Sequence, residues 1–331
     1  MELGDFPSRK RLDWLNLAWI ITHQCTMNCP YCVGWKSKTP VPTLINMLGG
    51  VDKVVARMEQ LRIAAKKNVY LTISGGEPTM VKQLPELYKE LGKRGFVLEL
   101  HTNLTTGRFT EWVNQVDPAH VGQIMATYHG WRLDTDEYAR SIYMNNFHEA
   151  AARGFTTILK TVVQPAEITA FPDKMKWLQT LLPENAPILP WVFIHGSPKS
   201  VANSNGAYPQ AYTQKEREIL ASVTKYRRTC QQLYCAGAGF FKGMPCDAGC
   251  SYAYMDISGS IFPCFGLNTH HIGDFVGGNF NFRSSPTACP ANYCGTPFWG
   301  LWYGLNPWNY IPGARQDDAY YCRFGPTVNL P

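Results

Sequence analysis

Short apolar runs alternate with amphipathic stretches from Trp14 to about Gly196. Runs rich in apolar and β-branched residues predict buried strands, and apolar residues recurring every three or four positions predict helices. The predicted strands are residues 17–22, 69–74, 96–102, 123–127, 156–163 and 191–195. The predicted helices between them are residues 51–67, 81–94, 109–115, 135–153 and 171–182.

Alternating strands and helices favour a parallel sheet with right-handed crossovers. Gly95 and Gly154 follow predicted helices and lead directly into strands, as helix-terminating glycines do. Six strands fit an open doubly wound sheet or a partial barrel, and periodicity alone does not choose. In both architectures ligands bind at the carboxyl ends of the strands, so polar residues there are the candidate site.

The pattern changes after residue 196. Residues 197–210 are polar and contain Pro and Gly, which indicates a linker, and a helix is predicted at 214–226. Residues 246–264 predict a β-hairpin, with alternating Tyr252, Tyr254 and Ile257 before a turn at Ser258 and Gly259. We therefore expect two domains, residues 1–200 and 201–331.

Composition narrows the class of protein. Of the 331 residues 45% are hydrophobic and 17% charged, which is typical of a globular protein rather than a disordered one. The net charge of +6 is spread along the chain, and a solvated helix face explains Lys225, Arg227 and Arg228 better than a nucleic-acid patch. Neither a long apolar run nor a signal-peptide core is present, so we expect a cytoplasmic protein with no membrane or nucleic-acid partner.

Three of the eleven cysteines lie directly after the first predicted strand. Cys25, Cys29 and Cys32 have C-x3-C-x2-C spacing, and such a short loop can turn three thiolates toward one centre. Iron–sulfur clusters normally take four thiolates, so three local ligands leave one iron with an open position, where metals do chemistry. A zinc knuckle or a metal-free loop is the alternative interpretation.

A second motif follows the second predicted strand, Ser74-Gly75-Gly76-Glu77-Pro78-Thr79. Two glycines permit the backbone to approach a ligand closely, and Glu77 can accept hydrogen bonds from an ammonium group. Taken alone, a Gly-Gly-Glu sequence most often marks a turn.

Together these motifs, with Tyr31 directly before the third cysteine, resemble the radical S-adenosylmethionine (radical SAM) superfamily. The resemblance implies an α/β fold with a partial (β/α)6 TIM-like barrel. It implies a 4Fe–4S cluster whose open iron is chelated by the methionine moiety of S-adenosyl-L-methionine, and a flavodoxin- or ferredoxin-type electron donor. Within this site it implies cofactor contacts by Tyr31, Gly75, Gly76 and Glu77.

Other strand ends supply further candidates. Thr102 and Asn103 end the third strand; they resemble ribose contacts of the family, and strand-end capping explains them equally well. His129 suits a proton carrier or substrate contact, with a structural histidine as the alternative. We predict catalytic roles for His129, Lys160 and Tyr128 and a cofactor contact for Gln164, and His195 is a further polar residue at a strand end.

The tail contains the other eight cysteines: Cys230, Cys235, Cys246, Cys250, Cys264, Cys289, Cys294 and Cys322. Cys246 to Cys264 fits C-x12-G-x4-C and resembles the signature of SPASM and twitch domains, which carry auxiliary 4Fe–4S clusters. The block that completes a SPASM domain is only partly present. We therefore expect one or two auxiliary clusters. The first is assigned to Cys246, Cys264, Cys289 and Cys294. The remaining four are a second site or buried thiols, and zinc is the alternative metal.

The resemblance also implies the reaction: S-adenosylmethionine is cleaved reductively, and the 5′-deoxyadenosyl radical removes hydrogen from a carbon. Because 24 residues precede Cys25, too few for a leader-binding domain, we expect a small-molecule substrate such as a sugar, aminocyclitol or nucleoside that is dehydrogenated or epimerised. Modification of a ribosomal peptide or protein side chain is the alternative. A non-catalytic iron–sulfur carrier or a zinc-dependent nucleic-acid module would not need Gly75, Gly76 and Glu77.

Overall fold

The structure, a computed structural model, describes residues 14–32, 41–193, 211–223, 245–246, 248–267 and 270–290. Its core is a run of parallel strands, each hydrogen-bonded to the next in chain order. They are β1 (Trp14–Thr22), β2 (Asn68–Gly75), β3 (Val97–Thr102), β4 (Val121–Tyr128), β5 (Thr157–Val163) and β6 (Ile188–Val192).

Helices cover the outer face of these strands. They are α1 (Leu44–Leu48), α2 (Val51–Ala65), α3 (Leu84–Lys93), α4 (Arg108–Gln115), α5 (Gly130–Leu133), α6 (Glu137–Ala152) and α7 (Phe171–Leu181). Short 3-10 turns at Pro78–Met80, Pro118–His120 and Pro165–Ala170 follow β2, α4 and β5. The arrangement confirms the predicted partial (β/α)6 barrel.

Both faces of β1 are buried, as expected for a strand of a covered parallel sheet. Leu15, Leu17 and Trp19 lie in the main core with the helices. Ala18 and Ile20 point the opposite way and join a second apolar cluster. The near-continuous apolar sequence of this strand therefore reflects packing on two sides.

The predicted position of the sixth strand was wrong by three residues. The strand runs over Ile188–Val192 rather than 191–195, and it contains Pro190. Proline within a sequence usually argues against a strand, but β6 is the edge strand of the sheet, where a missing N–H costs no ladder bond. His195 lies outside the described residues.

The tail continues the barrel sheet. Helix α8 (Gln214–Ser222) begins at a capping box of Thr213 and Glu216. The later strands are β7 (Pro245–Cys246), β8 (Tyr252–Met255), β9 (Ser260–Phe262), β10 (Gly273–Asp274), β11 (Asn279–Phe280) and β12 (Thr287–Ala288). Strand β8 pairs parallel to β1, so the main sheet runs in the order β11-β10-β9-β8-β1-β2-β3-β4-β5-β6.

Strands β8 and β9 form the predicted hairpin. Asp256 accepts hydrogen bonds at Oδ1 from the backbone N of Ser258 and Ser260, at 2.9 and 3.0 Å. Gly259 adopts a φ of 90°, the left-handed conformation that closes this turn with little strain only for glycine. The expected boundary between residues 200 and 201 lies outside the described residues and stays a prediction.

None of the helices in the described part of the chain is long and apolar enough to cross a membrane.

Candidate functional site

The loop that follows β1 carries the first three cysteines at the carboxyl end of the sheet. Cys29 is buried, and Cys25 and Cys32 are partly exposed. The backbone N of Cys32 donates to the carbonyl of Cys29 at 3.2 Å, and the N of Met27 lies 3.4 Å from Sγ of Cys25. Burial is the main cause that raises the pKa of Cys25, and nearby Cys32 and Glu77 raise it further. The thiols therefore share one compact loop.

The end of β2 is tied to this loop by backbone hydrogen bonds. The N of Gly76 donates to the carbonyl of Thr22 at 2.7 Å, and the N of Glu77 donates to the carbonyl of Gln24 at 2.6 Å. A methyl group on Gly75 would overlap the carbonyl of Thr22, and one on Gly76 would overlap the carbonyl of Gln24. The two glycines thus let β2 approach the cysteine loop, in addition to any close approach to a ligand.

The carboxylate of Glu77 is fully buried and accepts four hydrogen bonds. Oε1 accepts from Oγ1 and N of Thr79 at 2.6 and 3.1 Å and from Oγ1 of Thr102 at 2.8 Å. Oε2 accepts from the backbone N of Asn103 at 2.7 Å. Burial raises the pKa of Glu77 despite these four donors. This side chain therefore joins the ends of β2 and β3.

Asn103 connects the end of β3 back to the cysteine loop. Its Nδ2 donates to Oγ1 of Thr26 at 3.1 Å and lies 3.8 Å from Sγ of Cys25. Its Oδ1 accepts from N and Oγ1 of Thr105 at 3.0 and 2.7 Å. The buried Leu104 between them has a φ of 54°, a strained conformation that turns the chain sharply after Asn103. Asn103 thus contacts both the cysteine loop and Glu77, and Thr102 contacts Glu77.

His129 lies directly after β4 and contacts the cysteine loop from the other side. Its Nδ1 is 2.9 Å from the hydroxyl of Tyr31 and 3.3 Å from Sγ of Cys29. The two rings stack with centroids 6.0 Å apart. Burial, together with the charge of Lys160, lowers the pKa of His129 to about 3. The uncharged imidazole is therefore part of the wall around Cys29.

The other predicted site residues occupy three different environments. Lys160 lies opposite Thr127 in the sheet register, with Nζ 4.3 Å from the centre of the Trp191 ring. Gln164 follows β5, and its Nε2 donates to Glu167 at 3.3 Å. The side chain of Tyr128 points outward from the sheet: it is buried against Tyr143 and Trp177.

The hydroxyl of Tyr128 donates to Oδ1 of Asp134 at 2.9 Å. Lys174 contacts the other oxygen of Asp134 at 2.6 Å and Glu167 at 3.3 Å. Burial is the first cause that raises the pKa of Tyr128 well above its ordinary value, followed by the charge of Asp134. Tyr128 therefore anchors the end of β4 to the helical layer behind it.

Four tail cysteines lie at the opposite end of the sheet. Cys246 in β7 pairs with Thr287 in β12, and Cys289 directly follows β12. Cys264 follows β9, and the buried Cys250 precedes β8, with Nζ of Lys67 3.8 Å from its sulfur. Arg283 joins these segments by donating to Ala248 and Thr287. Cys230, Cys235, Cys294 and Cys322 lie outside the described residues.

Donor chemistry decides which metal group the first loop fits. Among the described residues, no three His, Cys, Asp or Glu side chains converge closely enough to hold a single metal ion. Three thiols on one loop match the soft ligands of an iron–sulfur cluster, which places each thiolate on a different iron. The loop residues therefore fit a cluster with Cys25, Cys29 and Cys32 as ligands.

Several contacts in the site were not predicted from the sequence. Glu77 caps the turn that contains Thr79, Thr26 binds Asn103, and Asp134 and Lys174 brace β4. A signal for the first was present, because an acidic residue directly before a proline is a favourable start for a helical turn. Thr26 contacts Asn103 from 77 residues away and Lys174 contacts Asp134 from 40 residues away, so neither contact leaves a local signal.

Comparison with known proteins agrees with these motifs. Residues 19–167 match the sequence profile of the Radical SAM superfamily. That segment contains the three cysteines, Gly75, Gly76 and Glu77, and β1 to β5. No curated protein matches the chain at a significant level.

Solved structures with a similar fold include SuiB of Streptococcus suis bound to precursor peptide SuiA. The TM-score is 0.54 at 13% identity, over 79% of this chain and 62% of that one. This chain thus spans about three fifths of SuiB. Native anSMEcpe with bound AdoMet and Cp18Cys peptide gives a TM-score of 0.56 at 15% identity, over 79% of this chain and 77% of that one.

The profile match covers less than half of the chain, and it shows that residues 19–167 are similar to the radical SAM superfamily.

Proposed function

We propose that this chain is a radical SAM enzyme that cleaves S-adenosylmethionine reductively and uses the 5′-deoxyadenosyl radical to remove hydrogen from a carbon of its substrate. One observation carries the proposal: the backbone bonds from Gly76 to Thr22 and from Glu77 to Gln24 bring the glycine motif against the cysteine loop. Both motifs thereby lie at the carboxyl end of the sheet, where parallel α/β folds bind ligands.

The residues around this junction take distinct proposed roles. Cys25, Cys29 and Cys32 bind the 4Fe–4S cluster, which supplies the electron. Gly75, Gly76 and Glu77 form the proposed contact with the methionine moiety, and the buried carboxylate of Glu77 holds the ends of β2 and β3 together there. Thr102 and Asn103 fix the position of Glu77, and Asn103 also fixes the cysteine loop. Tyr31 and Gln164 are further proposed cofactor contacts at the carboxyl end of the sheet.

Lys160 is the best placed of the three predicted catalytic residues. Its ammonium group, held over Trp191, can bind an electron-rich group of cosubstrate or substrate. His129 contacts Cys29 and Tyr31 directly, which favours action on the cluster loop over contact with substrate. Tyr128 points away from the barrel interior, so its position favours an anchoring role.

For the tail we propose an auxiliary 4Fe–4S cluster held by Cys246, Cys264, Cys289 and Cys294. Cys246 and Cys289 lie at the paired strands β7 and β12, and Cys264 follows the hairpin strand β9. Arg283 joins these segments through Ala248 and Thr287, and Lys67 places a positive charge 3.8 Å from the sulfur of Cys250. Cys250 is an alternative ligand of the same group. A second cluster, with Cys230, Cys235, Cys250 and Cys322, stays a prediction.

A peptide or protein side chain is the substrate class that the comparisons favour. SuiB and anSMEcpe, which share the fold, are described as bound to peptides. A sugar, aminocyclitol or nucleoside, predicted from the sequence, is the second candidate. A flavodoxin or ferredoxin is the proposed electron donor for either substrate.

The test is anaerobic incubation of the reconstituted protein with a strong reductant and S-adenosylmethionine, followed by quantification of 5′-deoxyadenosine. We expect about four irons per bound cluster and formation of 5′-deoxyadenosine by the unmodified protein. Cys29→Ala removes one of three ligands at the first loop and should abolish the product. Cys264→Ala should spare cleavage and stop substrate turnover.

Substrate class is decided in the same assay with deuterated candidates. Transfer of deuterium into 5′-deoxyadenosine from a peptide supports the first class, and transfer from a sugar or nucleoside supports the second. A Cys29→Ala protein that forms as much 5′-deoxyadenosine as the unmodified one contradicts the proposed function.

A further inference from the structure

The contact between His129 and Cys29 places an imidazole nitrogen beside one sulfur of the cysteine loop. Nδ1 of His129 lies 3.3 Å from Sγ of Cys29, within the range of a hydrogen bond to sulfur. Cys29 is the buried member of the three cysteines, so water has least access to its sulfur. A hydrogen bond there acts in a medium of low dielectric constant, where it is strongest.

Three sets of contacts fix the backbone and the ring of His129. Its backbone carbonyl accepts from N of Arg132 and N of Leu133, both at 3.0 Å, in the first turn of α5. Its ring stacks on Tyr31, whose hydroxyl lies 2.9 Å from the same Nδ1. The preceding Tyr128 is anchored behind the sheet by Asp134. The ring is thus fixed with Nδ1 directed at the cysteine loop.

Chemistry at Nδ1 depends on the state of the thiol. A neutral imidazole carries its proton on one nitrogen only, so Nδ1 either donates or accepts. A cysteine that binds metal is a thiolate, which can only accept. Once Cys29 is a ligand, a favourable contact therefore requires the tautomer with hydrogen on Nδ1.

We propose that His129 is a positioning residue that donates its Nδ1–H to the cluster-ligating sulfur of Cys29 and thereby raises the reduction potential of that cluster. Hydrogen bonds to ligand sulfurs are among the factors that set cluster potentials, because they stabilise the more negative, reduced state. The proposal rests on the proposed function for the identity of the cluster. In this tautomer the hydroxyl oxygen of Tyr31, 2.9 Å from Nδ1, is a second acceptor of the same N–H and holds the ring in place.

The test is a redox titration of the reconstituted protein, without S-adenosylmethionine or substrate, followed by electron paramagnetic resonance. His129→Phe keeps a stacking ring and removes the donor, so the midpoint potential should shift to a more negative value. His129→Asn offers an amide N–H near the position of Nδ1 and should return the potential toward that of the unmodified protein. Iron content should be equal in all three proteins.

A second measurement does not depend on the stability of the variants. In unmodified protein labelled with 15N-histidine, pulsed electron paramagnetic resonance of the reduced cluster should detect one coupled histidine nitrogen. An unchanged potential in His129→Phe, or the absence of that coupling, would overturn the inference while leaving the proposed function intact. Failure of the unmodified protein to bind any cluster would overturn both.

Discussion

At the scale of single residues, the barrel interior contains a buried charged side chain, Glu99, that no sequence motif predicts. Oε1 of Glu99 lies 2.6 Å from Nε2 of His101, and Oε2 accepts from the hydroxyl of Tyr70 at 2.5 Å. Burial alone would raise the pKa of Glu99, but the charge of His101 and the hydrogen bonds from His101 and Tyr70 hold it below its ordinary value. Glu99 is therefore ionised inside the protein.

This lowered pKa predicts how stability depends on pH. A carboxylate whose pKa is lower in the folded than in the unfolded state stabilises the fold above the unfolded value, about 4.3, and loses that contribution as the pH falls through the folded value. Glu99→Gln should reduce the free energy of unfolding by about 3 kcal/mol at pH 7, because it leaves His101 without its partner. Urea unfolding at pH 7 and near pH 3 measures the difference, which should shrink as the pH falls below about 4.3 toward the lowered pKa of Glu99.

Glu111→Gln is the control for this substitution, because Glu111 is exposed. Its effect should be small and equal at both pH values. A difference for Glu99→Gln that stays constant between pH 7 and about pH 3 would contradict the ion pair.

Residue identity in the site was predictable where a motif is local. The positions of Cys25, Cys29, Cys32, Gly75, Gly76 and Glu77 follow from spacing and from the strand that precedes each group. The hydrogen-bond partners of Glu77 could be predicted from the sequence only in part. Thr79 is two residues away along the chain, whereas Thr102 and Asn103 lie at the end of the next strand. Contacts that join distant strands require the sheet register, which sequence periodicity does not contain.

At the scale of elements, the strand ends that form the site depend on the two glycines. Gly76→Ala should push the end of β2 away from Gln24 and weaken the backbone bonds from Gly76 and Glu77. We expect a loss of about 1–3 kcal/mol in the free energy of unfolding and a large fall in iron bound after reconstitution, since the cysteine loop loses its neighbour. Thermal unfolding and iron analysis measure the two effects.

Gly107→Ala is the matched control. A methyl group at Gly107 meets no atom within 4 Å, and its φ of −63° is accessible to alanine. Iron content should be unchanged in this variant. Equal iron content in Gly76→Ala and Gly107→Ala would refute the role given to the contact.

Element boundaries could be predicted where apolar periodicity is strong. Strands β2 to β5 begin and end within two residues of the predicted positions. The position of β6 was predicted wrongly because a proline such as Pro190 disfavours a strand. The strand tolerates Pro190 because β6 lies at the edge of the sheet. Helices α1 and α5, of five and four residues, are too short to show a helical period.

At the scale of the whole molecule, the tail hairpin is part of the barrel core. Ala253, Met255 and Ile261 are fully buried in the same cluster as Leu17 and Trp19. Since β8 is hydrogen-bonded to β1, the hairpin and the barrel share both a sheet and a core. The two parts should therefore unfold in one cooperative transition.

Met255→Ala tests this coupling. The substitution leaves a cavity and should lower the free energy of unfolding by about 3 kcal/mol. Hydrogen exchange should quicken in β1 as well as in β8, and Met47→Ala, at a position 48% exposed, should have little effect. Faster exchange confined to β8 and β9 would show that the tail unfolds independently.

The parallel pairing of β1 with β8 also fixes the distance along the strands between the first cysteine loop and Cys264. Asn16 lies level with Tyr252, and the hairpin register places Cys264 opposite Tyr252, whereas the first cysteine loop begins beyond Thr22. Six residues of extended strand separate the two levels by about 20 Å. The first cysteine loop and Cys264 therefore lie at opposite ends of the β1–β8 pair, and an electron passing between redox centres bound at the two would cross most of the length of the sheet.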